Sequence, residues 1–382
     1  MKPKKKILIV CDSPKSLIDF KGKLIEELVK KHDVSVFTPK STRTGIQRKL
    51  ESMNVTIYEN NLNGSNVSLL SDIKFIIQLY GLVKKVKPDI FFPYTLKPVI
   101  YGTIIAKICG IKRITPMLTG LGYNFMPHRP RNIVNRITHF LLRFSLKSHR
   151  RSHLRIIFQN RDDYVTLLKE KVLKLPHKTF IVNGSGVDLD YYQYTPVDNG
   201  TVSFLMMARL INAKGIFEYY EAARILKRRY PEVSFKLIGS YDNNIDSIGP
   251  DLYEKIKSGA VVEFHGETDD VRPYIKEASV VVLPSYYGEG VPRCLLEAMA
   301  MGRAVITCNS VGCRETVETG EKSNGFLVSV RNVPALVSKM EFFITQPSAI
   351  PKYGMNGLAL ARKKFDVNLI NRQMMRIMQL DN

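Results

Sequence analysis

Apolar residues along this chain fall in short unbroken runs, separated by segments whose apolar positions recur at three-and-four spacing. That pattern marks buried strands alternating with amphipathic helices. In the first half the runs at 6–11, 33–37, 55–58, 89–93, 113–118, 155–158 and 179–182 are candidate strands, with helical segments such as 23–31, 73–85 and 99–108 between them. A second series occupies 201–207, 234–238, 261–265, 280–283, 304–307 and 325–328. Strands that are apolar throughout need cover on both faces, so each series predicts an α/β, doubly wound parallel sheet. Such sheets present ligands at the carboxyl ends of their strands. In the first half this singles out the loops 12–22, 94–98 and 119–130.

The two series set the domain plan. A polar, turn-rich stretch with Pro196, Asp198, Asn199 and Gly200 predicts a linker at 191–200, between an N-terminal domain at 1–190 and a C-terminal domain at 201–360. The run 361–382 reads as a terminal helix able to cross back to the first domain. A chain of 382 residues with 45% hydrophobic content can fill two cores. Two such domains are expected to form a cleft between them.

Charge adds an asymmetry. Residues 1–190 hold 34 Lys and Arg against 14 Asp and Glu, whereas the remainder holds 23 against 21. Nearly all of the chain's +22 therefore belongs to one half, which should be drawn to an anionic surface. Segment 134–151 concentrates this character. Ile133, Ile137, Phe140, Leu141 and Phe144 share one helical face, and Arg136, His139, Arg143, Lys147 and Arg150 recur on another. A basic amphipathic helix of this kind fits a membrane interface, and equally a core-facing helix with a solvated side.

No apolar run approaches the ~20 residues of a membrane-spanning helix. The apolar run 7–10 is too short for a signal-peptide core and reads as the start of a first strand. Five cysteines without CxxC or zinc-like grouping suggest reduced residues of a cytosolic protein. No metal is expected.

The densest chemistry lies at 285–311, SYYGEGVPRCLLEAMAMGRAVITCNSV. An apolar strand runs into a Gly- and Pro-containing loop and then a helix, with Pro292 suited to the first helical turn. Glu289 falls on the loop and Glu297 inside the helix. The helix start offers N–H donors and positive dipole to a phosphate, and a buried carboxylate finds partners in sugar hydroxyls. Spacing alone leaves open that both are ordinary surface acids. Arg209 and Lys214, on the loop after the first strand of the second series, suit a diphosphate: a bidentate fork and a mobile point charge. Gly239, His265 and Gly266, at the ends of two neighbouring strands, would supply floor and edge for a base or ribose.

The runs ARLINAKG and FHGETDDVRPYIKEASVVVLPSYYGEGVPRCLLEAMAMGRAVITCNSVGCRETVETGEKSNGFLV, with YTLKPVIYG, TGLGYNF, FQNRDDY and NGSGVDLDYY in the first half, resemble the retaining glycosyltransferases of family 4, which have the GT-B fold. They look like the bacterial subgroup that extends lipid-linked glycans for capsule, O-antigen or protein glycosylation, including N-acetylgalactosaminyl transfer onto diacetylbacillosaminyl-diphospho-undecaprenol. The resemblance implies a UDP-sugar donor (UDP-GalNAc, UDP-GlcNAc or UDP-Gal), no prosthetic group, and an undecaprenyl-diphosphate-linked acceptor. It also implies peripheral attachment to the cytoplasmic face of a bacterial inner membrane. Carried over residue by residue, Arg209 and Lys214 hold the donor diphosphate, Glu289 the sugar hydroxyls, Gly290 and Val291 offer backbone N–H groups, and Glu297 binds the ribose.

Two features depart from the family pattern. The His that many members carry after a first-domain strand is missing from PMLTGLGYNF; His128 lies downstream, where it could equally be a loop residue. The glycine pair after the first strand is also absent, and Asp19, Phe20, Lys21 and Gly22 occupy the comparable place. Acceptor contacts are expected among Gly22, Tyr94, Lys97, Thr119, Gly120, Tyr123 and His128. Competing classes are a UDP-sugar epimerase or hydrolase of the same architecture and a basic nucleic-acid-binding protein. The second is disfavoured because the basic residues are not interleaved with a nucleic-acid motif. A dehydrogenase would need GxGxxG where the chain reads CDSPKSLIDFKG.

Overall fold

The structure is a computed structural model. It describes residues 3–41, 44–62, 69–125, 133–148, 151–174, 177–198, 200–241 and 246–380, with side chains for all of these except Thr44, Tyr123 and Asn124. The chain divides into two compact units, Met1–Ser185 with Val367–Asn382, and Gly186–Asp366.

The first unit contains strands β1 (Lys6–Val10), β2 (Asp33–Pro39), β3 (Thr56–Asn60), β4 (Ile90–Pro93), β5 (Arg113–Ile114), β6 (Met117–Leu118), β7 (His153–Leu154), β8 (Ile156–Phe158) and β9 (Thr179–Ile181). Six form a parallel sheet in the order β3-β2-β1-β4-β5-β7, and β6, β8 and β9 form a smaller one in the order β6-β8-β9. The single strand expected at 113–118 is divided at Thr115 and Pro116. Pro116 has no N–H to continue the ladder; the Thr115 N–H still donates to Phe91 O at 2.9 Å, while Pro116 O accepts from Ile157 N at 2.9 Å. The chain thus leaves one sheet for the next within two residues, and β7 and β8 repeat the step on either side of Arg155.

Two other expectations are corrected in this unit. Residues 14–22 are not a loop: helix Pro14–Val29 begins at once, with Pro14 in its first turn and extended Ser13 as N-cap. Its face of Leu17, Leu24, Ile25 and Leu28 packs into the core with β1 and β2 residues such as Ile7, Ile9 and Val36. The terminal run is not one helix from 361. Residues Ala361–Phe365 form a π-helical turn that ends at Asp366, and helix Val367–Ile377 follows in the first unit. There Ile370, Met374 and Ile377 join the core just described, Gln373 donates to Ile181 O at 3.0 Å, and Arg155 donates to Ile377 O at 3.2 Å.

The second unit contains β10 (Ser203–Met207), β11 (Ser234–Ile238), β12 (Glu263–Phe264), β13 (Val280–Leu283), β14 (Ala304–Cys308) and β15 (Gly325–Val328), parallel in the order β12-β11-β10-β13-β14-β15. β10, β13 and β14 are buried at every position, as their uninterrupted apolar runs require. The stretch 191–200 is not a free linker. Tyr192 is buried in this unit's core, and the fully buried Arg303 donates to Thr195 O at 2.6 Å and Thr195 Oγ1 at 2.7 Å. An arginine in the interior needs several carbonyl partners, and the supposed linker supplies some of them.

Candidate active site

In an open parallel sheet, ligands gather at the carboxyl ends where the strand order reverses. In the second unit that point lies between β10 and β13. The loop after β10 carries Arg209 and Lys214, and the loop after β13 carries Glu289, so topology brings together predicted residues that are distant in sequence, Lys214 and Glu289 being 75 positions apart.

Their geometry is heavily braced. Asn212–Lys214 form a 3-10 turn closed by Gly215 at φ +80°, where a Cβ would lie 2.3 Å from Pro284 O. Only glycine tolerates both the left-handed backbone and that approach. Tyr286 N and Tyr287 N both donate to Ala213 O, at 2.9 and 3.0 Å, and Asp246 accepts from Ala213 N at 2.9 Å. On the far side Ser310 Oγ donates to Ser285 O at 2.7 Å. The loops after β10, β13 and β14 are therefore laced together largely through backbone atoms.

Lys214 Nζ donates to Glu289 Oε1, which also accepts from Ser285 Oγ at 3.1 Å. Both side chains are largely buried, 15% and 12% exposed. Burial pulls the lysine pKa down, but the Glu289 carboxylate overcomes it and the net shift is upward, so Lys214 stays charged. Arg209 is exposed on the same loop, close enough to disfavour the Lys214 charge. Two cations and one carboxylate at the carboxyl-end edge of the sheet leave net positive charge there.

The helix after Glu289 is Arg293–Ala300, with Pro292 as its N-cap rather than its first residue. Gly290 and Val291 lie buried just before it. Glu297, one turn in, is buried and held on Oε1 by Arg293 Nη2 at 2.7 Å and by Tyr192 Oη at 3.0 Å. Burial, followed by the Glu297 charge, drives the Tyr192 pKa far upward, which keeps the phenol a donor. Sequence reading missed both partners. The Arg293/Glu297 spacing of four was a legible signal; Tyr192 was hidden because its segment read as linker.

Gly239 follows β11, and a Cβ there would sit 1.7 Å from Ala208 O; its N–H donates to Gly266 O at 2.8 Å. His265 and Gly266 follow β12, with the imidazole against the Tyr274 ring at 5.0 Å. These three residues lie at the carboxyl ends of β11 and β12, the two strands on one side of β10.

In the first unit the reversal lies between β1 and β4, and the candidate acceptor residues meet there less freely. Gly22 is buried inside helix Pro14–Val29 and is not a loop contact. Tyr94 is 1% exposed, with its hydroxyl 2.8 Å from Ser16 Oγ. Lys97 is paired with Asp72 at 2.8 Å, and Asp72 also accepts from Tyr101 at 3.0 Å. Thr119 and Gly120 lie half-buried after β6, and Tyr123 lies in the 3-10 turn Gly122–Phe125. His128 and Arg150 lie outside the described residues. Two groups that sequence reading did not select stand at this point: Lys21, whose pKa burial lowers to about 7, and Asp12, which burial raises to about 6 against the Thr95 hydroxyl.

Helix Ile133–Leu146 turns Leu142, Ser145 and Leu146 inward. Ile133, Ile137, Phe140 and Phe144 remain 51–67% exposed, alongside exposed Arg136, Arg143 and Lys147. Lys107 fixes its C-terminal end by donating to Ser145 O and to Lys147 O. Among the described residues no helix is long and apolar enough to cross a membrane, and no cluster of three or more His, Cys, Asp or Glu is placed to hold a metal.

Comparison with known proteins matches both units. The family described as "Glycosyl transferase 4-like" matches residues 6–160, and "Glycosyl transferases group 1" matches residues 201–346. The chain is 24% identical over 379 residues, 95% of each chain, to the N,N'-diacetylbacillosaminyl-diphospho-undecaprenol alpha-1,3-N-acetylgalactosaminyltransferase of Campylobacter jejuni. It is 25% identical over 290 residues, 72% of this chain and 71% of the other, to the UDP-Gal:alpha-D-GlcNAc-diphosphoundecaprenol alpha-1,3-galactosyltransferase of Escherichia coli. Among solved structures, Anabaena HepE in complex with UDP-glucose superposes with a TM-score of 0.77 at 19% identity, covering 98% of this chain and 99% of that one. The fold is GT-B.

Proposed function

We propose that this chain, which belongs to the glycosyltransferases of the group 1 and 4-like families, moves a hexose or N-acetylhexosamine from a UDP-sugar to an undecaprenyl-diphosphate-linked sugar, with retention at the anomeric carbon. The observation that carries this reading is the Lys214–Glu289 pair beside Arg209 at the reversal point of the second sheet. Arg209 and Lys214 hold the donor diphosphate, and Glu289 takes the sugar hydroxyls. Gly290 and Val291 bring backbone to the phosphate at the helix start. Glu297 receives the ribose on Oε2, since Arg293 and Tyr192 both engage Oε1. Gly239, His265 and Gly266 border the base.

As the anomeric C–O bond to UDP breaks, negative charge grows on the leaving phosphate. Preorganised Arg209 and Lys214 stabilise this added charge more than they stabilise the intact diphosphate of the ground state. The acceptor hydroxyl attacks from the same face and passes its proton to that phosphate oxygen, so Glu289 orients and does not serve as nucleophile. Side-chain cations supply the charge compensation, and turnover is expected to persist in a chelator. The relatives' lipid-diphosphate substrates, the basic first unit and the exposed apolar stripe of helix Ile133–Leu146 support an acceptor presented at an anionic membrane surface.

The test is incubation with UDP-GalNAc, UDP-GlcNAc and UDP-Gal, each with and without an undecaprenyl-diphosphate-sugar acceptor. Acceptor-dependent release of UDP with a lengthened glycolipid is expected. Hydrolysis or epimerisation of the donor without transfer sinks the reading.

A further inference from the structure

A cavity of about 850 Å³ lies in the first unit at the amino ends of β1, β4 and β5, the end of the sheet opposite to the reaction edge. Lys5, Lys84, Lys87, Lys112 and Arg113 line it, with Asp89 as the one carboxylate. Asp89 Oδ2 already accepts from Lys6 N at 2.9 Å. Among the described residues none of the five cations has a salt-bridge partner; Lys84 instead stands 4.5 Å from the centre of the Tyr80 ring. Like charges gathered around one concavity repel, and an anion entering it relieves that repulsion.

The rim is apolar. Tyr80 and Ile108 line the same cavity, and Ile108 is 65% exposed. Tyr80 ends an exposed stripe of Leu69, Leu70, Ile73 and Ile77 along helix Leu69–Val86, which is about 27 Å long by its rise per residue. This helix packs beside helix Thr103–Ile108, which in turn packs beside helix Ile133–Leu146 with its own exposed stripe. A basic pocket alone fits any phosphate; a basic pocket at the end of an exposed apolar stripe fits a phosphate with hydrocarbon attached.

We propose that this pocket binds the headgroup of an anionic phospholipid while helix Leu69–Val86 lies in the bilayer interface as a second docking element. This deepens the membrane part of the proposed function and rests on it. The pocket holds the first unit to the lipid at a place remote from the carboxyl-end edge, so it docks the enzyme without occupying the site of transfer.

The test is flotation of the full chain with vesicles of phosphatidylcholine alone or mixed with phosphatidylglycerol. The triple variant Lys84→Gln, Lys87→Gln, Lys112→Gln, all exposed residues, should keep its melting temperature and its partition onto neutral vesicles. Its partition onto anionic vesicles should fall by on the order of a hundredfold, from about fivefold per charge. Unchanged anionic partition overturns the proposal. Ile77→Ser with Ile108→Ser should weaken binding to both vesicle types; no loss overturns the helix's part. Displacement by inorganic phosphate at constant ionic strength, with direct phosphate binding in calorimetry, would assign the pocket to a free anion and also overturn it. If Arg136→Gln, Arg143→Gln, Lys147→Gln abolishes anionic dependence while the pocket triple leaves it intact, the membrane reading stands and this one fails. Failure of sugar transfer leaves the vesicle measurement unaffected.

Discussion

Both units reverse their strand order beside the first strand, between β1 and β4 in one and between β10 and β13 in the other, yet they use the charged residues there differently. In the second unit, backbone hydrogen bonds and tight glycines brace the loops; Lys214 pairs with Glu289 and lies over the Tyr287 ring, Ser285 donates to Glu289, and Arg209 stands exposed. In the first, the comparable side chains support the fold: Tyr94 on Ser16, Lys97 on Asp72, and Lys21 buried 3.5 Å from Ser185 Oγ. The lesson is that position at a reversal point does not by itself make a residue a ligand contact. The difference lies at Arg209, whose guanidinium stays exposed, whereas the charges of Lys97 and Lys21 are taken up by partners inside the first unit.

The contrast can be broken most directly at Arg209. Because this guanidinium is exposed, Arg209→Ala should leave the melting temperature unchanged while lowering kcat about 10²- to 10³-fold, the usual scale for removing one preorganised charge stabiliser. Near-normal turnover would remove the assignment. Lys214→Ala is a poorer probe, since it also strands the buried Glu289 carboxylate.

Tyr192→Phe tests whether the supposed linker serves the donor site. Losing one hydrogen bond to a buried carboxylate costs about 1.5–3 kcal/mol. The expected readout is a rise in donor KM of about tenfold with kcat little changed, as befits a residue that positions Glu297. An equal fall in kcat would instead place Tyr192 nearer the chemistry.

Lys21→Met sharpens the first-unit side of the comparison and should have the smallest effect. Lys21 has a folded pKa of about 7 against an ordinary 10.5, so the unfolded chain binds the extra proton between these values. Its cost to stability is fully present below about pH 7 and vanishes as the pH rises toward 10.5. The methionine variant should therefore be more stable at pH 7, by ~1 kcal/mol or more, and this advantage should shrink in alkaline buffer. Thermal melts across that range check it; a pH-independent difference would refute the buried-charge explanation.

The site was legible from the sequence where its residues sit in strand-loop-helix signatures. Glu289 on its loop and Glu297 in its helix could be placed because an apolar run, a Gly and Pro cluster and an apolar helix follow one another without a gap. Gly22 was misplaced for the converse reason: the polar and charged residues around Lys15, Asp19 and Lys21 looked like loop, although Pro14 signals a helix start and the residues at three-and-four spacing bury against β1 and β2. Tyr192 and Thr195 were unreadable because their partners, Glu297 and Arg303, lie more than a hundred positions away.

By itself the sequence determined the alternation of strands and helices, the plan of two α/β units, the concentration of positive charge in the first half and the loop that carries Glu289. These follow from periodicity, turn chemistry and composition, all of which act over a few residues. Tertiary structure alone decided that Lys214 pairs with Glu289, that Lys97 is spent on Asp72, that Gly239 must lack a side chain, and that five scattered cations surround one cavity. Such facts depend on which strands become neighbours and on the few ångströms between their loops, and neither quantity is written in any local stretch of the chain.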